Sequence, residues 1–214
     1  MLASAMGLGG LVLGGNVFAQ EAARLYTPEV ALGPFYPMLK PLDVDADLTI
    51  IKGHKKRAEG EIIHVAGRVL NQNGDPVRGA SIEIWQANAK GRYAHRSDTN
   101  PLPIDENFQG FAVLRTDAQG RYRFKTIKPG AYPISPTELR TPHIHVDVKG
   151  RHNRLTSQMF FPGEALNDKD MLYLDLKRYE PKNYPAVVAT PMPSAKEIPA
   201  GETLLNWDIV LLNG

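Results

Sequence analysis

The sequence contains no cysteine among its 214 residues. Disulfide bridges, thiolate metal sites and cysteine nucleophiles are therefore excluded. It also lacks any hydrophobic run close to the roughly 20 residues that a membrane-spanning helix needs. The formal net charge is only +2, and the basic residues are scattered along the chain. We therefore expect neither a membrane span nor a nucleic-acid partner.

The composition describes a globular, turn-rich protein. Hydrophobic residues make up 43% and charged residues 22% of the chain, with 19 glycines and 17 prolines, which predicts one main core. Residues 1–19 are uncharged and mostly Leu, Val, Ala and Gly, which predicts a signal segment and export, although a disordered tail on a cytoplasmic protein is the alternative. Proline-rich residues 20–60 predict an extended arm, and residues 61–214 the main domain.

From residue 61 onwards, short alternating runs are separated by Gly and Asp/Asn turns. Two strand–turn–strand pairs are predicted, the first read as a hairpin: 62–70 with 80–87, and 111–116 with 122–127. Further strands are predicted around 143–148, 158–161 and 204–212, and one short helix at 167–177. A strand every ten or so residues with few helices predicts an all-β fold, an antiparallel β-sandwich.

Two histidines lie at alternate positions of one predicted strand. The alternation from His143 to Val148 puts His143 and His145 on one face and Ile144 and Val146 on the other. Both imidazoles can therefore reach one metal ion. Spacing alone is equally compatible with two hydrogen-bonded surface histidines.

Two tyrosines lie in turns rather than in core strands. Tyr132 is bracketed by prolines on a stiff loop 11 residues before His143, and Tyr93 lies in a Gly-Arg-Tyr turn. Tyr122 differs, because it alternates with Phe124 in a strand and is assigned to the core. Two neutral imidazoles and two phenolates would form a donor set rich in anionic oxygen, which suits iron(III) better than zinc or iron(II).

Several motifs resemble the intradiol ring-cleaving dioxygenases, the family that includes catechol and protocatechuate dioxygenases. The likeness runs from about residue 33 to 163. It rests on Gly33-Pro34-Phe35-Tyr36-Pro37, Ile82-Glu83-Ile84-Trp85-Gln86-Ala87, Gly91-Arg92-Tyr93, Pro129-Gly130 and Arg140-Thr141-Pro142-His143-Ile144-His145. The resemblance implies a transthyretin-like β-sandwich and an Fe(III) ion bound by Tyr93, Tyr132, His143 and His145.

The resemblance also implies a reaction in which a catechol and dioxygen give a muconate-type diacid. The catechol would displace Tyr132, which takes up a proton, while Arg140 would stabilise developing negative charge. Gln158 corresponds to a glutamine that the family often has beside the dioxygen pocket, although a buried core-edge amide is an equal alternative. The resemblance implies no phospholipid, because the helical linker that binds it in dimeric relatives is missing. A homo-oligomer, and an arm that completes the site in cis or in trans, both stay open.

One departure from the family concerns the substrate. Protocatechuate enzymes resemble each other in an arginine three residues beyond the second tyrosine, whereas this chain has Ser135. A carboxylated substrate would then need another cation, because an unpaired buried carboxylate is costly.

Two other protein classes share part of this pattern. Residues 67–80 and 116–132 also resemble transthyretin-like and carboxypeptidase-regulatory-like binding modules, but such a module gives no reason for the two tyrosines and two histidines to meet. A cupin would need a glutamate and a later histidine, and only His152 follows His145. The dioxygenase reading is therefore favoured.

Overall fold

The computed structural model describes residues 25–135 and 137–212. The predicted signal segment at 1–19 lies outside the described residues and stays a prediction. Within these residues, eleven strands and one α-helix follow one another. They are β1 Ile62–Asn71, β2 Ser81–Trp85, β3 Phe111–Arg115, β4 Arg121–Ile127, β5 Tyr132–Pro133, β6 Leu139–Arg140, β7 His143–Lys149, β8 Arg154–Phe160, α1 Met171–Tyr179, β9 Thr190–Pro191, β10 Thr203–Asn206 and β11 Ile209–Leu211.

Two sheets form the predicted all-β sandwich. The first has the order β3-β2-β7-β8 and is antiparallel throughout. In the second, β1 pairs antiparallel with β4 and parallel with both β10 and β11, so this sheet is mixed. The predicted final strand at 204–212 is divided into β10 and β11 around Trp207 and Asp208.

The predicted hairpin of the first two strands is wrong. β1 and β2 lie in different sheets, and so do β3 and β4 of the second predicted pair. Their turns carry the chain across the sandwich, and the actual partners are β1 with β4 and β2 with β3. Turn residues fix where the chain reverses, whereas the partner of each strand depends on which apolar faces meet in the core.

The main core lies between the sheets. Ile82 and Ile84 of β2 and Ile144 and Val146 of β7 are buried there. Tyr122 also belongs to this core, as predicted, and its hydroxyl donates to the carbonyl of Trp207 at 2.6 Å. The opposite face of the first sheet points away from this core and is covered by the arm.

The arm runs in extended form across both sheets. Val30 N donates to the carbonyl of Thr156 at 3.0 Å, and Leu48 N to that of Lys125 at 2.8 Å. The predicted helix at 167–177 is a 3-10 turn at Asn167–Lys169 followed by α1, with Asp170 capping α1. None of the described helices is long and apolar enough to cross a membrane.

Candidate metal centre

Strand alternation aims both histidines away from the core. His143 and His145 lie on the arm-covered face of β7 and are 2% and 1% exposed. Their Nε2 atoms lie 3.1 Å apart. The ring of Trp85, the β2 neighbour of His145, stacks on the His145 ring with an interplanar angle of 10° and a centroid distance of 4.9 Å.

The structure brings both predicted tyrosines to these histidines. Tyr132 Oη lies 3.4 Å from His143 Nε2. The Tyr93 ring is perpendicular to the Tyr132 ring at 5.4 Å and lies 6.2 Å from the His145 ring. Tyr93 Oη is buried and has no hydrogen-bond partner among the described residues. The four side chains predicted as ligands therefore lie together in one buried cluster.

The loops that carry the tyrosines dock through two glycines. Gly91 has φ +80°, and a Cβ there would lie 2.1 Å from the Ala131 carbonyl oxygen. A Cβ on Gly130 would lie 2.6 Å from the Gly91 nitrogen. Only glycine allows this approach, and it places Tyr93 and Tyr132 beside each other.

Both imidazoles are neutral at physiological pH. Burial, followed by the charge of Arg140, lowers the pKa of His143 to about 3. Burial and the neighbouring His143 hold the pKa of His145 well below its usual value. The Thr141 carbonyl accepts from His143 Nδ1 at 2.6 Å. Because this fixes the proton on Nδ1, the lone pair of His143 Nε2 faces this cluster.

The phenols need a cation to ionise in this enclosure. Burial, with the neighbouring Tyr132, raises the pKa of Tyr93 well above its usual value. Burial also raises the pKa of Tyr132, although the Arg140 charge opposes this. A metal ion bound between them would reverse both shifts by stabilising the phenolates.

The residues present fit one small ion. Ligand atoms bound at about 2.1 Å and at right angles around one ion lie about 3 Å apart, and the donor distances of 3.1 and 3.4 Å are close to this value. In the described part of the chain, no group of three or more His, Asp or Glu side chains could hold a metal. A metal ion held by His143 and His145 would therefore need the two tyrosines as its further protein ligands.

Arg140 lies next to the donors and is held in place. Its Nε donates to Asp170 Oδ2 at 2.7 Å and its terminal nitrogen to Gln158 Oε1 at 2.6 Å. Gln158 is fully buried and is the strand neighbour of His145. Asp170 was not predicted as a site residue, because the sequence indicated only that it lies within the short helix predicted at 167–177.

The arm of the same chain covers the site. The Phe35 ring lies 4.6 Å from the Tyr93 ring and 5.9 Å from the Tyr132 ring. His95 lines a cavity of about 180 Å³ together with Phe35 and Tyr93. Ser135 is half-buried and its hydroxyl donates to the Glu138 carboxylate at 3.4 Å, so the charge beside it on this hairpin is negative.

The known proteins that this chain resembles are dioxygenases. The Dioxygenase family model matches residues 32–213. A protocatechuate 3,4-dioxygenase beta chain of Burkholderia cepacia is 47% identical over 139 residues, covering 63% of this chain and 58% of that relative. A 6-chlorohydroxyquinol 1,2-dioxygenase of Cupriavidus pinatubonensis is 31% identical, covering 81% of this chain and 63% of that relative. The chain thus spans less than two thirds of these relatives.

A similar architecture is found among solved structures. The dioxygenase domain of a carbohydrate-binding fusion protein from Streptomyces sp. SirexAA-E has a TM-score of 0.64 at 25% identity, covering 88% of this chain and 99% of that chain. A hydroxyquinol 1,2-dioxygenase from Pseudomonas putida has a TM-score of 0.68 at 19% identity, covering 90% of this chain and 68% of that chain, and shares the fold. None of these matches supports the non-catalytic binding module.

Proposed function

The chain belongs to the intradiol ring-cleaving dioxygenases, and on that premise we propose that it opens a catechol ring between the two hydroxyl-bearing carbons. Tyr93, Tyr132, His143 and His145 would hold ferric iron. Dioxygen is the second substrate and an acyclic diacid of the muconate type the product.

One observation carries this proposal. His143 Nε2 lies 3.4 Å from Tyr132 Oη and 3.1 Å from His145 Nε2, and the buried Oη of the adjacent Tyr93 has no hydrogen-bond partner among the described residues. Phenolate oxygens favour iron(III) over softer or less charged ions. When bound, ferric iron would supply an acceptor for electron density from a catecholate, which prepares the ring for dioxygen.

Tyr132 is the ligand better placed to leave and take a proton. It lies on the two-residue strand β5, whose hairpin with β6 carries exposed Ile134 and Leu139. Tyr93 is restrained more tightly, because its backbone nitrogen donates to the buried Asp98 at 2.7 Å. Tyr132 Oη would accept a proton from one substrate hydroxyl while Tyr93 stays in place.

Arg140 would stabilise negative charge on the substrate. It is 6% exposed, and its fixed geometry requires no reorganisation when charge develops. Gln158 orients it through the 2.6 Å hydrogen bond, and the same amide donates to the Ala31 carbonyl at 2.8 Å.

The electrostatics favour an uncharged catechol over protocatechuate. Arg140 is already engaged by Asp170 and Gln158. Arg92, the other arginine close to Tyr93, donates to the carbonyls of Leu102 and Asp98. At Arg140 a ring carboxylate would therefore compete with the existing Asp170 pair, although a relative with 47% identity is named for protocatechuate.

The test uses purified protein loaded with ferric iron. We expect phenolate-to-iron charge transfer to give a visible absorption band. Catechol with isotopically labelled dioxygen should give a ring-opened diacid carrying both labelled atoms. A colourless protein with stoichiometric iron, or a product cleaved outside the two hydroxyl carbons, would refute the proposal.

A further inference from the structure

We propose that Glu83 is a positioning residue that holds the covering arm, residues 32–42, over the candidate metal centre and thereby controls how tightly the substrate ring is enclosed. This inference rests on the proposed function for its kinetic consequence. Its structural part, the anchoring of the arm, does not.

The carboxylate of Glu83 binds the covering arm at two points. Tyr36 Oη donates to Oε2 at 2.5 Å, and Lys40 Nζ donates to Oε1 at 2.5 Å. The Glu83 side chain is 8% exposed, and Lys149 Nζ lies 3.7 Å from Oε1. Each oxygen of one buried, charged acceptor is thus used by a different residue of the arm, and such charge-assisted bonds are the strong kind.

Glu83 lies on the same sheet face as the candidate ligands. It precedes Trp85 by two residues on β2, so both side chains point away from the core. Across to β7, Glu83 pairs with Asp147 and Trp85 pairs with His145. The Glu83 carboxylate therefore lies two residues along β2 from Trp85, the strand partner of His145, and on the same face of the sheet.

Three residues of the covering arm contact the site. A Cβ on Gly33, at φ +75°, would lie 3.1 Å from His145 Cε1, so the arm backbone rests on this imidazole. Phe35 packs on the rings of Tyr93 and Tyr132. The Tyr36 ring meets Trp85 edge-on at 5.0 Å.

The arm has few other polar restraints here. Among the described residues, the hydrogen bonds that join residues 32–42 to the sheets both end on Glu83. The adjoining restraints lie outside this stretch, where Gln158 Nε2 donates to the Ala31 carbonyl and Val113 N to that of Val44. Releasing Glu83 therefore frees the segment that covers the ligands.

Glu83→Gln removes the negative charge and one acceptor oxygen while keeping the size of the side chain. The amide keeps one acceptor oxygen but turns an N–H₂ toward a donor, so it cannot accept from both Tyr36 and Lys40. The matched control is Glu61→Gln. Glu61 is an exposed glutamate ahead of β1, and its carboxylate accepts from Thr203 Oγ1 in the other sheet.

The first experiment measures arm docking without metal. Chymotrypsin cleavage after Phe35 is followed by mass spectrometry in metal-free protein. We expect Glu83→Gln to raise this cleavage rate about tenfold, as loss of a charge-assisted hydrogen bond would do, and Glu61→Gln to leave it unchanged. Equal rates for Glu83→Gln and wild type would overturn the inference.

The second experiment measures catalysis in the iron-loaded protein. Because the covering arm contributes binding to substrate throughout the reaction, Glu83→Gln should raise KM for catechol about tenfold and change kcat less than about twofold. The charge-transfer band should keep its position, which shows an intact ligand set. An unchanged KM, or a shifted band, would contradict the positioning role.

Two further variants keep the inference testable if Glu83→Gln folds poorly. Tyr36→Phe keeps the ring on Trp85 and removes one hydrogen bond, and Lys40→Met removes the other. Each should increase cleavage after Phe35, and neither should add fully to Glu83→Gln, since both remove a hydrogen bond to the same carboxylate. Additive effects would reject Glu83 as the common anchor. If wild-type protein lacks colour and activity, the proposed function fails, while the cleavage series still tests the anchor.

Discussion

Replacement of Asp170 by asparagine should destabilise the fold and displace Arg140. The Asp170 side chain is 0% exposed, and its Oδ2 accepts from Arg140 Nε at 2.7 Å and from Thr141 N at 2.9 Å. Its Oδ1 accepts from Tyr173 N at 3.1 Å and so caps α1. One carboxylate thus fixes a cation, a strand end and a helix start.

The expected magnitude follows from this burial. Removing one partner of a buried ion pair costs roughly 3–5 kcal/mol, because the other charge stays buried and unpaired. Asp170→Asn keeps one acceptor oxygen, so we expect the lower end, about 3 kcal/mol. For a domain of this size, this loss corresponds to a fall in Tm of about 6–12 °C. Because Arg140 is no longer fixed, kcat/KM should fall at least about tenfold.

Thermal unfolding and steady-state kinetics test this prediction. Asp168→Asn is the control. Asp168 lies two residues before Asp170 and forms an exposed ion pair with Lys177, and a surface ion pair contributes little to stability. Arg140→Met combined with Asp170→Asn should cost less than the sum of the two single changes. The reasoning is refuted if Asp170→Asn melts with the control, or if the double change is additive.

Three further predictions concern the donors and the substrate. Tyr93→Phe and Tyr132→Phe should each lower the visible iron band by about half, because each removes one of two phenolates, whereas Tyr122→Phe should leave it unchanged; equal bands in all three would contradict the ligand set. Ser135→Arg should raise the kcat/KM ratio of protocatechuate to catechol about fivefold, the value of one partly exposed charge pair, and an unchanged ratio would place the ring substituent elsewhere. In metal-free protein the pKa of His143 is about 3, below its ordinary 6.5. As the pH falls, the imidazole therefore takes up a proton in the unfolded chain before it does so in the folded protein. The folded state is fully favoured by this residue above about pH 6.5, and its free energy of unfolding falls by about 2 kcal/mol at pH 5. Denaturant unfolding at both pH values should show this fall in the free energy of unfolding, and His143→Gln should make the fall smaller. The same fall in that variant would contradict the low pKa of His143.

Local signals in the sequence predicted the donors, because each depends on a short stretch of chain. Alternation along β7 fixed which face His143 and His145 share, and the structure places both on that face. The glycine- and proline-rich turns around Tyr93 and Tyr132 predicted loop positions; Tyr93 does lie in a loop, whereas Tyr132 lies on the two-residue strand β5, and both are buried. Their mutual docking through Gly91 and Gly130 could not be read from spacing.

Contacts over long sequence distances could not be predicted in this way. Asp170 lies 30 residues from Arg140, and its place as a helix cap carries no information about an arginine on another element. The strand partners of β1 and β2 were also missed, because a turn motif is the same whether the next strand pairs in the same sheet or crosses the sandwich.

The arm covers the outer face of the first sheet, where the candidate metal ligands His143 and His145 lie beside charged residues. A sheet face left in water would keep histidines and tyrosines near their ordinary pKa values, whereas here burial is the first cause of the shifts at Tyr93, His143 and His145. Covering the face also buries Glu83 and Asp147, which must then be paired.

The arm supplies the partners of Glu83, and the sheet supplies the partner of Asp147. Lys40 and Tyr36 of the arm bind Glu83, while Arg154 of β8 binds Asp147 at 2.7 Å. The paired charges of Glu83 and Asp147 therefore stabilise the docked arm at the strand position next to His145. Burial keeps both imidazoles neutral, as a metal ligand must be, and the phenols would ionise there only with a bound cation.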